Sequence, residues 1–135
     1  MAYYLDQAAR AQSVGAFSAA LVMYRSALEH LLHHLGFTTG MLGQKIEDLK
    51  KKREGADAPR WIRDLDLEDL SVLGRLGNGA VHTNGGDVTK QDAIDHALVV
   101  AVMLTFSHIL DDAIERAKRD ADRKALLTSA AAQLR

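Results

Sequence analysis

Cysteine is absent, which excludes a disulfide framework, a thiolate zinc site and a cysteine nucleophile. Proline occurs once, at Pro59, and β-branched residues are sparse and scattered, so no segment reads as a strand. Aromatic residues make up only 5% of the chain, too few to provide the stacking platform of a sequence-reading RNA binder. Charge is also nearly balanced, at a formal −1, so any site for a polyanion must be a local patch rather than a global field. No uninterrupted apolar run approaches the roughly 20 residues of a membrane span. The most apolar one, residues 97–106, reads as a core helix. The first residues, Met1-Ala2-Tyr3-Tyr4-Leu5-Asp6, lack the basic start and apolar stretch of a secretory leader. The expectation is a cytoplasmic protein with no membrane partner.

The chain does carry helical periodicity, and 135 residues suit one compact core. Residues 2–12 place Tyr4, Ala8 and Ala11 on one face. The clearest amphipathic segment runs over residues 16–35, where Phe17, Leu21, Tyr24, Leu28, Leu31 and Leu35 recur at spacings of three and four. Gly36 then offers the left-handed conformation that closes a helix. Beside this ridge lies a second stripe: Ser18, Val22, Arg25, Glu29 and His33. Residues 42–53 form a shorter helix with Leu42, Ile46 and Leu49 inward, before a breaker-rich loop at 54–59. Asp66 caps a helix carrying Leu67, Leu70 and Leu73, which the glycines at 77 and 79 should end. Asn84-Gly85-Gly86-Asp87 reads as a loop, and Thr89-Lys90-Gln91-Asp92 as a capping box that opens the longest helix, from Lys90 to Lys118 or beyond. Because residues 97–110 are apolar almost all round, that helix should be the central one. The reading is an all-α antiparallel bundle of four to five helices over residues 1–118, with an alanine-rich helical tail at 119–135. No internal repeat is present.

Chemistry concentrates in Arg75-Leu76-Gly77-Asn78-Gly79-Ala80-Val81-His82. Arginine supplies a planar, permanently charged donor fork suited to phosphate. Histidine supplies a proton-transfer group that titrates near neutrality, and glycines let backbone amides approach a ligand. The same residues equally suit an ordinary helix end, with Gly77 as terminator, Arg75 neutralising the last carbonyls and His82 packing.

The segment resembles the signature of the HEPN superfamily (higher eukaryote and prokaryote nucleotide-binding helical domains), an arginine and a histidine with four to six residues between them. More narrowly, it is similar to a bacterial branch catalogued as a domain of unknown function. There an Arg-x-Ala-Leu-Glu segment precedes Arg-Leu-Gly-Asn-x-x-x-His. Both halves stand here, as Arg25-Ser26-Ala27-Leu28-Glu29 and then Arg75, Asn78 and His82. The resemblance covers residues 16–110 and implies a HEPN-like antiparallel bundle, often a homodimer whose Arg…His segments meet at a cleft. Active members are metal-independent ribonucleases. The resemblance therefore implies that His82 transfers a proton at the ribose 2′-hydroxyl or the leaving oxygen and that Arg75 stabilises charge on phosphate. Asn78 would position the phosphate or orient His82, and Glu29 would pair with Arg75 or His82. Catalytic members carry a polar residue directly after the arginine, where this chain has Leu76. No cofactor or metal is implied. The resemblance leaves two functions in view: an RNA-phosphate binder or endoribonuclease of a defence or toxin system, and a non-catalytic dimerisation or docking module of a larger defence or restriction assembly.

Other features have plainer readings. Arg25 and Glu29 make an ordinary i, i+4 ion pair unless their stripe faces the Arg75 segment. His30 and His34 stand one helical turn apart, with His108 a conceivable third ligand, but their leucine neighbours suggest packing and no metal is expected. Lys50-Lys51-Lys52-Arg53 complements the negative end of a helix dipole, and as a second reading guides RNA through phosphate contacts.

Overall fold

A computed structural model of the chain describes residues 1–81 and 94–134, with residues 77–81 described by their backbone alone. The fold is an all-α bundle, and the described residues include no strand. Helix α1 spans Ala2–Ser13, α2 Phe17–His34, α3 Leu42–Glu54, α4 Arg60–Asp64 and α5 Leu67–Val81. Helix α6 (His96–Leu110) continues through a π turn (Asp111–Glu115) into α7 (Arg116–Gln133). The short α4 is an addition to the elements read from periodicity, since five residues are too few to show a helical repeat.

Helix α2 is the organising element. Ala20, Leu21, Tyr24, Ala27, Leu28, Leu31 and Leu32 are all buried on it, and it packs against α1, α3, α5 and α6. Spacings of three and four put those side chains on a stripe wide enough for several neighbours. Each fully buried leucine contributes about 1.5–3 kcal/mol from removal of apolar surface alone. Helix α1 pairs with α2 as a hairpin through a tight turn in which Gly15 has φ 77°. At its other end α2 closes on a Schellman motif. Gly36 N–H donates to the His33 carbonyl at 3.1 Å and Phe37 N–H to the Leu32 carbonyl at 2.9 Å, while Gly36 itself sits at φ 106°.

The expectation that residues 97–110 form the central helix is corrected. Only Val99, Val102, Phe106 and Ile109 of α6 are buried, which is a single face, whereas Ala97 and Ala101 are exposed and Leu104 is 61% exposed. Apolar composition permits burial on every side, but α6 meets the bundle on one side only. The start of this helix also differs. Asp95 is its N-cap, its carboxylate accepting from Leu98 N–H at 2.9 Å, so α6 begins at His96 rather than at Lys90. The proposed capping box at 89–92 and the loop at 84–87 lie outside the described residues. Together α6, the π turn and α7 make a rod of 38 residues that contains a stretch long and apolar enough, by length and composition, to cross a membrane. The buried face of that stretch packs in the bundle.

Asp66 caps α5 as the sequence predicts, accepting from Glu68 N–H at 3.0 Å and Asp69 N–H at 3.2 Å. Arg53 ties the end of α3 to this entry by donating from Nη1 to the Leu65 carbonyl at 3.1 Å. Helix α5 does not stop before the glycines. It continues through Gly77 and Gly79 to Val81. Each helical glycine costs about 1 kcal/mol against alanine. Leu70, Leu73 and Leu76, in the turns before the glycines, hold the helix to the core.

Candidate functional site

Arg75 reaches the surface because α5 lies on α3 through its other face. Gly74, one residue earlier, is buried against Ile46 and Leu42, where a β-carbon would meet Ile46 Cδ1 at 3.4 Å. The absent side chain brings the two helices close together and leaves a shallow groove of about 170 Å³ between them. Ser71, Gly74 and Arg75 line it from α5, and Gly43, Glu47 and Lys50 from α3. Arg75 is exposed, and no carboxylate or hydrogen-bond acceptor engages it among the described residues. Lys50 shares its charge with Glu47 at 3.3 Å. Beyond it Lys51 and Lys52 are exposed in the last turn of α3, where the helix dipole favours cations, while Arg53 is occupied at the Leu65 carbonyl. The groove therefore presents a free guanidinium fork beside the Lys50–Glu47 pair, and the fork suits a phosphate oxygen.

The sequence-derived set is only partly brought together here. Arg75 lines the groove, Asn78 belongs to the part of α5 described by its backbone, and His82 lies outside the described residues. The glycine bend expected between arginine and histidine is replaced by continuous helix as far as Val81. Of the two partners expected for Glu29, His82 lies outside the described residues and Arg75 is not its partner. The Glu29 carboxylate stands 3.9 Å from Arg25 and 3.8 Å from Lys45, and it makes no pair with Arg75. The stripe on α2 that carries it faces α3, so its partner is the α3 lysine rather than the α5 arginine.

Periodicity also missed Lys45. It is a charged residue on the apolar stripe of α3, between Leu42 and Leu49, and its side chain is only 5% exposed. Lysine at an inward register position was the signal that could have found it. A second unforeseen cluster binds α4 to the π turn and α7. Asp64 holds Arg60 and Arg116, each at 3.3 Å, and the buried Asp112 stands 3.5 Å from both Arg116 and His108. A cavity of about 250 Å³ lies there beside Trp61, but Asp64, Asp112 and Asp120 are each paired with a cation, so the cluster acts as a clamp. His30 stacks on Tyr4 at 4.7 Å between ring centroids, and His108 belongs to the clamp. Among the described residues no three ligating side chains converge on a point that could hold a metal.

Compared with known proteins, the chain is matched over residues 6–127 by the model of a family described as a domain of unknown function (DUF4145). The match begins in α1 and ends inside α7. No curated protein and no solved structure matches the chain.

Proposed function

The chain belongs to the DUF4145 family, and on that premise we propose that it is a HEPN-type module that holds RNA by its phosphate backbone in the groove between α3 and α5. One observation carries this reading: Arg75 is exposed, without a counter-ion among the described residues, in a groove shared with Lys50. An unpaired surface arginine keeps its full donor capacity for a bidentate phosphate contact. Lys51 and Lys52 extend the positive surface along the end of α3. Contacts of this kind position a strand without reading bases, which agrees with the scarcity of aromatic residues.

In the catalytic form of this reading His82 transfers the proton and Arg75 stabilises charge on phosphorus, while Glu29, held by Arg25 and Lys45, is a structural group. The experiment is binding and cleavage of single-stranded RNA in EDTA. Arg75→Ala is expected to weaken binding about tenfold, as for one lost charge-assisted contact, and to flatten its salt dependence. His82→Ala should spare binding and abolish cleavage. Equal behaviour of all three proteins, or no binding by any, overturns the proposal.

A second reading, a dimerisation or docking module, has its own support. Leu104 on α6 and Leu126, Leu127 and Leu134 on α7 or at its end are large exposed apolar side chains. Light scattering tests it: a strict monomer at all concentrations removes self-association.

A further inference from the structure

We infer a second anion site, separate from the groove of Arg75, in the cavity between α1, α2 and α3, with a small phosphomonoester as the class of ligand it takes. The cavity measures about 390 Å³ and is lined by Tyr4, Ser26, Glu29, His30, His33 and Lys45. That volume lies within the range of ordinary small-molecule sites.

Taking an ammonium group out of water costs several kcal/mol unless close partners replace the lost hydration. Lys45 has a neutral one in the Gly40 carbonyl, to which its Nζ donates. Gly40 is fixed for this role: its φ is 73°, and a β-carbon there would meet Gln44 Cβ at 2.7 Å. Among the described residues the one carboxylate partner of Lys45 is Glu29, 3.8 Å away, and Arg25 draws on the same carboxylate from 3.9 Å. Both separations exceed hydrogen-bond length. Two cations thus share one anion loosely: Lys45 and Glu29 line the cavity, Arg25 stands behind Glu29, and the cluster of three carries one net positive charge. Arg25 Nε confirms the shortfall, since it is sealed from solvent with no acceptor. An unsatisfied buried donor of this kind normally costs about 1–3 kcal/mol.

The rest of the lining supplies hydroxyls and imidazoles, each of which can donate to an acceptor oxygen. Ser26, His33 and the hydroxyl of Tyr4 make no hydrogen bond among the described residues, and the Tyr4 ring leaning on His30 gives one wall an apolar face. A tetrahedral phosphate with several acceptor oxygens matches this set better than a planar carboxylate, because the donors come from three different helices. Lys45 would hold the phosphate, Ser26 and the histidines would donate to it, and the Tyr4–His30 wall would face the organic part.

The test is isothermal titration of the full chain with inorganic phosphate at constant ionic strength, balanced with chloride. One saturable site per chain is expected. Glu29→Gln removes the competing carboxylate and should tighten phosphate by about tenfold, the scale of one unit charge a few ångströms away. Lys45→Met should abolish binding, and Arg75→Ala should leave it unchanged. Saturable binding that survives in Lys45→Met overturns the inference, as does its absence from both wild type and Glu29→Gln. Loss of binding in Arg75→Ala also overturns it, by assigning the phosphate to the α3–α5 groove. Should Lys45→Met fail to fold, Glu29→Gln decides alone, and affinity no tighter than wild type refutes the site.

Discussion

Helices α2 and α7 are both eighteen residues long, yet one builds the core and the other buries nothing. In α2 the apolar residues recur on a continuous stripe, and four other helices cover it. In α7 the charged residues crowd the first half, from Arg116 to Lys124, and the second half from Ala125 to Leu134 carries no charge at all. Every residue from 121 to 134 is exposed. What makes α7 helical is therefore intrinsic preference, since alanine is the best helix former and four alanines stand in its last nine residues. What makes α2 helical is burial. The same secondary structure thus has two different causes, and the two should respond differently to substitution.

The largest expected effect lies in α2. Leu28 is fully buried, so Leu28→Ala should cost about 2–5 kcal/mol through lost transfer energy and the cavity left behind. Chemical denaturation checks this, and a loss below about 1 kcal/mol would mean that α2 does not organise the core. A smaller, pH-dependent effect attaches to Tyr24, whose ring lies 6.0 Å from Phe106. Burial raises its phenol above the ordinary value of 10.0. Above that pH the unfolded chain releases its proton while the folded chain retains it. The contribution is complete below pH 10 and is lost as pH rises toward the folded value. Tyr24→Phe should therefore lose less stability than wild type between pH 9 and pH 11, measured by urea midpoints. Parallel curves would show that the hydroxyl is not desolvated.

These contrasts also separate what could be read from the sequence from what could not. The α2 stripe, the Gly36 terminator, the Asp66 cap and the basic end of α3 depend on local spacing, and local spacing is visible in a sequence. The centrality of α2 over α6 is not, because hydrophobicity sets how much of a helix is able to bury and only the neighbours decide how much does. Glu29 shows the same limit at the site. Its i, i+4 relation to Arg25 was legible, but its second partner, Lys45, comes from another helix. The π turn at Asp111–Glu115 was equally invisible, since its clamp joins residues of α4 to residues some fifty positions later. Of the candidate site, the side chains of Arg75 and Glu29 are described, and Arg75 is the one that is exposed in the α3–α5 groove.

The smallest effect belongs to α7 and is the sharpest check on the comparison. Leu127 is 65% exposed, so Leu127→Ser should change the stability of the isolated chain by no more than about 0.5 kcal/mol. A short helix standing in water is marginal on its own, and a tip bearing Leu126, Leu127 and Leu134 at 73%, 65% and 89% exposure has apolar surface to gain from a partner. If a second copy covers it, the substitution becomes visible only where association is. The denaturation midpoint of wild type should then rise with protein concentration, and that of Leu127→Ser should not. A large loss at micromolar dilution, where only monomer is present, would instead show that α7 folds back on its own bundle, and the distinction between a helix made by burial and one made by propensity would fail.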